Sequence, residues 1–266
     1  SMDYLIRQAE SLAAQGVKEL NIVAQETTVY GTDLYNGQKL LPELLRRLCR
    51  IEGISWIRVL YCYPEEINEE LIQVIKEEPK ICHYLDLPIQ HGSDAVLKRM
   101  GRRTTQAELR SIIGRLREEI PDIALRTTLI AGFPGETEED FMETMEVVKE
   151  VQYDSAFTFI YSKRSGTPAA KMPDQVPDDV VHERFDRLLK VVNEAAKEQN
   201  GKLTGNTELV LVEEIDEKDD TMVTGRLSNN SVVHFKGDAS LIGKIVPVVL
   251  EESKGFYYLG RLSVNG

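Results

Sequence analysis

Between Ser1 and about Val151 the apolar residues follow two alternating rhythms, a helical spacing of three and four and short apolar runs. Leu5, Ala9, Leu12 and Ala13 form a helical stripe that Gly16 ends, and Leu20 to Ala24 then predicts a buried strand. The unit repeats. Leu41, Leu44, Leu45 and Leu48 predict a helix, and Trp56 to Cys62 a strand. Ile67, Leu71, Ile72 and Ile75 predict the next helix, and His83 to Ile89 its strand. Leu109, Ile112, Ile113 and Leu116 give a further helix, and Ala124 to Ala131 a strand. Strands alternating with helices of this length predict a parallel sheet with helices outside, because parallel neighbours need crossover connections. A doubly wound sheet and a barrel both satisfy the pattern.

A strand at Ala156 to Tyr161 is followed by the polar loop SKRSGTPAAKMPDQVP, whose glycine and prolines exclude a continuous helix. Pro177 then starts a helix with Asp178 and Asp179 near its positive end, and Val181, Phe185, Leu188, Leu189 and Val192 carry its apolar stripe to about Asn200. Gly201 is expected to open a linker. From Thr204 the rhythm changes to the short runs LVLVEE, MVTGRL, SVVHF, KIVPVVL and FYYLGRL, separated by turns such as Ser228-Asn229-Asn230. Five short strands in so few residues predict a small barrel of the oligonucleotide-binding kind.

The chain has 266 residues, 42% of them hydrophobic, enough for one large domain and a small one. No apolar run approaches the roughly 20 residues of a membrane span and the N-terminus has no signal-peptide pattern, which predicts a cytoplasmic protein with no membrane partner. The net charge of −12 argues against a polyanion as the default partner, since proteins that grip nucleic-acid backbones normally present a basic stripe. From Thr204 onward ten acidic residues face six basic ones, so both parts of the chain are acidic. Cys49, Cys62 and Cys82 match neither zinc nor iron–sulfur spacing, and each is expected to pack as a small buried hydrophobe.

Chemistry concentrates in the run Arg126-Thr127-Thr128-Leu129-Ile130-Ala131-Gly132-Phe133-Pro134-Gly135-Glu136-Thr137, where an apolar strand breaks into a glycine turn and a helix begins. A backbone passing two glycines and a proline can press close to a planar or anionic ligand. Thr137 and Asp140 cap the following helix, and Phe141, Met145 and Val148 give it an apolar face. An ordinary strand-to-helix loop fits the same spacing equally well, because short glycine motifs are weak signals. His91 has no His or Cys companion at ligand spacing, and His83, His182 and His234 are isolated too, so no metal site is expected.

The glycine run, together with LDLPIQHGSDAVLKRMGRR (Leu85 to Arg103) and AQETTVYG (Ala24 to Gly31), resembles the radical S-adenosylmethionine methylthiotransferases. These enzymes place a methylthio group on a tRNA adenosine or on an aspartate of ribosomal protein uS12. The resemblance implies a partial parallel (βα) barrel, its first strand missing here, over residues 1–203, followed by a small all-β TRAM domain over residues 204–266. The missing strand would leave an unpaired edge. It also implies S-adenosylmethionine as cofactor and two [4Fe-4S] clusters, one held by a CxxxCxxC loop upstream of Ser1 and the other by a further N-terminal domain. This chain has ligands for neither, so turnover by the chain alone is not expected. In the family, reductive cleavage of the cofactor yields a 5′-deoxyadenosyl radical that abstracts hydrogen from the target carbon.

Residues at the C-terminal ends of barrel strands are the candidates for binding. By resemblance, Gln25 and Glu26 face the amino group of the cofactor, Gln90 and Ser93 its ribose, Arg126 its carboxylate, and Gly132, Phe133 and Pro134 its adenine; Tyr161 and Ser162 end the last strand. QETTVYGTDLY, RVLYCYPEEI and SDAVLKRMGRR look like the uS12-modifying branch, whereas FTFIYSKRSGTPAAKM and the run from Thr224 to Leu250 look like the tRNA-modifying branch. The acidic charge favours uS12. Against it, Arg226, Lys236, Tyr257 and Arg261, with Lys244 and Tyr258, would suit stacking on the tRNA anticodon arm if they share one groove. Two other classes stay open: a binding module without catalysis, and an aldolase-like barrel using Lys98 or Glu136 for acid–base work.

Overall fold

The computed structural model describes residues 1–263. Helix α1 (Met2–Ala14) leads into β1 (Glu19–Ile22), α2 (Leu41–Cys49) into β2 (Trp56–Val59), and α3 (Glu69–Glu77) into β3 (Ile81–Asp86). Two helices, α4 (Asp94–Arg99) and α5 (Gln106–Glu119), precede β4 (Ala124–Ala131), and α6 (Glu138–Val151) precedes β5 (Ser155–Ile160). The five strands pair in sequence order, every neighbour parallel. This is the expected sheet of radical SAM type. β1 has β2 as its one partner, so its other edge is free among the described residues.

Alternation along the strands divides the sheet into two faces. Ile57, Val59, Ile81, Leu85, Leu125 and Leu129 pack under the helices in one core. Arg126, Thr128 and Ile130 of β4, half-buried, and Phe157 and Phe159 of β5, exposed, take the opposite, concave face. β3 ends at Asp86 rather than Ile89 because Pro88 has no N–H to donate to the ladder, and pairing returns only as a single bridge from Gln90 to Leu129. β2 ends at Val59 rather than Cys62, two residues before Tyr61 takes a φ of +55°.

Helix α7 (Asp178–Gly201) packs on β5 and continues through Gly201, which belongs to its last turn rather than to a linker. The strands β6 (Thr207–Ile215), β7 (Met222–Leu227), β8 (Val232–Lys236), β9 (Ile245–Ser253) and β10 (Tyr257–Leu262) close into a barrel in the order β10-β8-β7-β6-β9. Its core is Val210, Val212, Val223, Val233, Phe235, Val248, Leu250 and Tyr258.

The small barrel seals one end of the concave face. Trp56, Cys82 and Ala124 near strand beginnings, and Tyr84 registered beside Ala124, pack with Leu211 and Ile245. The buried Arg58 pairs with Glu19 at 2.7 Å and donates to the carbonyls of Leu227 at 3.1 Å and Ser228 at 2.5 Å. Asn200 near the end of α7 donates to Asp154 O and Gly255 O, and its own carbonyl accepts from the Tyr258 hydroxyl at 2.7 Å. The strand C-termini are therefore the open end. Among the described residues no helix is long and apolar enough to cross a membrane.

Candidate functional site

At that open end a cleft of about 510 Å³ lies between the loop after β3, the glycine turn after β4 and the loop after β5. Gln90, Thr128, Ile130, Phe133, Phe159 and Tyr161 line it, with Arg102 and Arg164 as the charged lining residues. The Phe133 and Tyr161 rings meet edge to face at 5.3 Å and form an aromatic wall. Gln90 holds a left-handed φ of +71° while its backbone bridges β4, donating to Thr128 O at 2.8 Å and accepting from Ile130 N at 2.9 Å. A non-glycine residue held in this conformation by its neighbours is common at ligand sites.

The glycine turn is fixed from behind by a buried carboxylate. Glu136 accepts the Gly132 N–H at 3.0 Å, faces His91 Nε2 at 3.0 Å, and accepts from Arg184 Nη1 at 2.9 Å. His91 Nδ1 accepts the Ser93 N–H, so the ring proton sits on Nε2 and is donated to Glu136. Thr144 Oγ1 completes the contact with Nδ1 at 3.1 Å. Glu136, His91 and Arg184 are all buried. Their signal in the sequence is one arginine on the apolar stripe of α7, between Val181 and Leu188.

The expected cofactor residues divide into three groups. Gln90 and Phe133 come together at the cleft, while Gly132 and Pro134 flank Phe133 in the turn outside its lining, Gly132 with its N–H on Glu136 and Pro134 with its carbonyl accepting from Arg99 at 3.4 Å. Ser93 and Arg126 are engaged by protein partners: Ser93 Oγ donates to Asp140 at 2.5 Å, and Arg126 forms a two-pronged pair with Asp86 at 2.8 and 3.1 Å beneath the Phe157 ring. Gln25 is exposed and Glu26 half-buried after β1, away from the lining of this cleft. Glu26 accepts from Tyr63 N at 3.0 Å and from the Thr28 hydroxyl; burial lifts its carboxyl above the ordinary range against those bonds.

The residues present fit a nucleoside-sized ligand: an apolar ring wall of Phe133 and Tyr161, and polar Gln90 among the lining residues. They do not fit an iron–sulfur cluster. Among the described residues no three His, Cys, Asp or Glu side chains gather as ligands. The three cysteines are buried and unpaired, and burial pushes the thiol of Cys49 up to about 12 and that of Cys82 to about 11.

On the small barrel, Arg226, Val232 and Tyr257 share one cross-strand row, and the alternation of β8 and β10 puts Lys236 and Arg261 on the same outer face. Tyr258 points the other way, into the core, so it cannot join Tyr257 in stacking. Arg226 pairs with Glu213 at 3.1 Å and Arg261 with Glu251 at 2.8 Å. The Tyr257 ring stands edge-on to His234 at 5.2 Å.

Residues 1–148 match the model of the Radical SAM superfamily and residues 201–263 that of the TRAM domain. The chain is similar to the ribosomal protein uS12 methylthiotransferase RimO of Lachnoclostridium phytofermentans, 49% identical over 97% of this chain and 60% of that protein. It is also similar to the tRNA-2-methylthio-N(6)-dimethylallyladenosine synthase of the same organism, 44% identical over 97% of this chain and 56% of that one. The chain thus spans somewhat more than half the length of these curated relatives. Among solved structures, coproporphyrinogen III oxidase HemN from Escherichia coli shares the fold with a TM-score of 0.50 at 14% identity, over 84% of this chain and 56% of that chain. The methyltransferase TsrM from Kitasatospora setae does so with a TM-score of 0.51 at 17% identity, over 64% of this chain and 33% of that chain. With more than half of its length matched by that first model, and the same sheet in the structure, this chain belongs to the radical SAM superfamily and carries a TRAM domain.

Proposed function

We propose that this chain carries the S-adenosylmethionine-binding barrel and the target-reading domain of a methylthiotransferase whose target is the anticodon arm of a tRNA. Similarity to methylthiotransferases of both branches supports the reaction class. The cofactor's nucleoside lies against Gln90, Gly132, Phe133 and Pro134, with Gln25 and Glu26 toward its amino group. Arg126 meets its carboxylate while keeping Asp86, and Ser93 serves the ribose end by anchoring the loop through Asp140. When bound, the cofactor supplies the group whose cleavage starts the chemistry. Among the described residues no ligand set gathers for the cluster that would cleave it.

One observation carries the choice of target: the charged side chains lining the cleft are Arg102 and Arg164, with no carboxylate among the lining residues. A substrate meets this mouth, not the average surface, and a cationic mouth favours a phosphodiester. The uS12 protein is the second reading. It is favoured by the net charge of −12 and by the glutamates that neutralise Arg226 and Arg261.

The test is binding of the purified chain to a tRNA anticodon stem-loop and to uS12, side by side at two salt concentrations. Saturable preference for the stem-loop that weakens but survives at higher salt is expected. Preference for uS12 at both salts would overturn the tRNA reading. With S-adenosylmethionine and a reductant, the chain alone is expected to bind the cofactor and release no 5′-deoxyadenosine.

A further inference from the structure

Helix α7 is fastened near each end by a buried polar residue, and the two fastenings hold different parts of the molecule. Near its start, Arg184 donates to Glu136 Oε1 at 2.9 Å and to the Glu136 carbonyl at 3.0 Å, and its Nε reaches Glu138 at 3.2 Å. Near its end, Asn200 donates to Asp154 O, just before β5, at 3.1 Å and to Gly255 O of the small barrel at 2.8 Å. Its side-chain oxygen accepts from Ser231 Oγ at 3.2 Å, and its main-chain carbonyl accepts the Tyr258 hydroxyl at 2.7 Å. Both residues are buried. Buried polar groups with all partners in place fix one register between the elements they join. The helix runs unbroken between them, and at roughly 1.5 Å of rise per residue the two lie about 24 Å apart.

The near end bears on the glycine turn without slack. Glu136 gives one oxygen to Arg184 and the other to the Gly132 N–H and His91 Nε2. Three residues before Arg184, Val181 fills the space beside Gly132, where a Cβ would come within 2.5 Å of it. A small shift of α7 therefore reaches Gly132 through a packing contact and through a hydrogen bond at once. The far end is a joint of three bodies, because Asn200 ties α7 to the sheet and to the small barrel together. Close-packed interiors compress little, so a displacement at this joint is passed along the helix and is not absorbed by it.

We infer that α7 is a strut through which the small barrel sets the cofactor turn, with Arg184 as a positioning residue for S-adenosylmethionine and Asn200 as the joint that seats the strut. The inference rests on the cofactor reading of the cleft and holds whichever target the small barrel reads. It adds a link between the two domains that the target and cofactor assignments leave separate.

The experiment uses the whole chain, with S-adenosylmethionine affinity measured by calorimetry and hydrogen exchange of the Gly132 amide by NMR. Tyr258→Phe keeps the ring in the small-barrel core and removes only the hydroxyl that Asn200 accepts, so it loosens the far end of the strut. It is expected to weaken cofactor binding about fivefold, the lower end of couplings between distant sites, and to speed exchange at Gly132. Val223→Ala opens the same core at a residue that is not a hydrogen-bond partner of Asn200. It should lower the melting temperature and leave both readouts as in wild type. The double variant E136Q/R184M cuts the near end; it removes both charges, so no unpaired ion is buried, and the new amide keeps an acceptor for the Gly132 N–H. In that background Tyr258→Phe should change neither readout further. Unchanged affinity in Tyr258→Phe, an equal loss in Val223→Ala, or full additivity of Tyr258→Phe with E136Q/R184M would overturn the strut and leave the cofactor reading standing. Absence of S-adenosylmethionine binding by the wild-type chain would overturn the cofactor reading and the strut with it.

Discussion

Gly132 is where β4 turns against α7. Its φ of +78° lies in the left-handed region, and a Cβ there would meet Val181 Cγ2 at 2.5 Å while the N–H is held by Glu136. Gly132→Ala therefore has to pay for an unfavourable backbone and a displaced α7 side chain at once. A loss of about 2 kcal/mol in urea denaturation is expected, together with weaker S-adenosylmethionine binding by calorimetry. A change below about 0.5 kcal/mol would mean that the turn is not strained against α7. The turn was legible in the sequence because its signals are local, glycines, a proline and a cap within a few residues. Glu136 was not, because its meaning depends on His91 and Arg184, 45 and 48 residues away. For the same reason the resemblance that assigns Ser93 and Arg126 to the cofactor says nothing of their protein partners, and the fold reveals Asp140 and Asp86 beside them.

Among the elements, α6 joins the glycine turn to the helical layer, and its start is the most heavily bonded. Thr137 and Asp140 form a reciprocal capping box, and Asp140 also accepts from the buried Ser93 hydroxyl of the loop after β3. Burial works to raise the Asp140 carboxyl, but the bonds from Ser93 and Thr137 outweigh it and hold the group below the ordinary aspartate range. The sign follows from linkage: a carboxyl lowered on folding stabilises fully above its unfolded value near pH 4 and loses that contribution as pH falls through its folded value. Asp140→Ala should cost about 2 kcal/mol at pH 7, combining a lost cap with an unpaired buried hydroxyl. The difference from wild type in chemical denaturation should shrink steadily below pH 4. A difference independent of pH would assign the cost to packing. Periodicity placed most of these helices and strands, but not their ends. Pro88 cut β3 short, and the extra short helix α4 did not stand out because its apolar stripe is only Val96 and Leu97.

At the scale of the molecule, charge and domain contact act together. The sequence average of −12 hides a cleft whose charged lining is arginine, because composition carries no directions and only folding sorts residues by face. The second barrel was legible from its run of short strands, whereas its seating on the first depends on contacts nearly 170 residues apart that no local pattern encodes. That seating centres on Arg58, 1% exposed, whose guanidinium lies 5.2 Å from the Tyr84 ring while it binds Glu19 and two carbonyls of the small barrel. Substituting it leaves Glu19 buried without its counter-ion and two carbonyls without their donor, a loss of about 3–5 kcal/mol by analogy with other broken buried pairs. Trp56, the single tryptophan, packs against Leu211 across the same interface and reports on it by fluorescence. In the wild-type chain the fluorescence and circular dichroism transitions in denaturant are expected to coincide, because neither barrel can open this contact without exposing a buried ion pair. In Arg58→Met the tryptophan transition should come first, at lower denaturant, with the dichroism change following as each barrel unfolds separately. Coincident transitions in the variant, with stability within about 1 kcal/mol of wild type, would show that the apolar contact around Trp56 holds the two barrels together without the arginine.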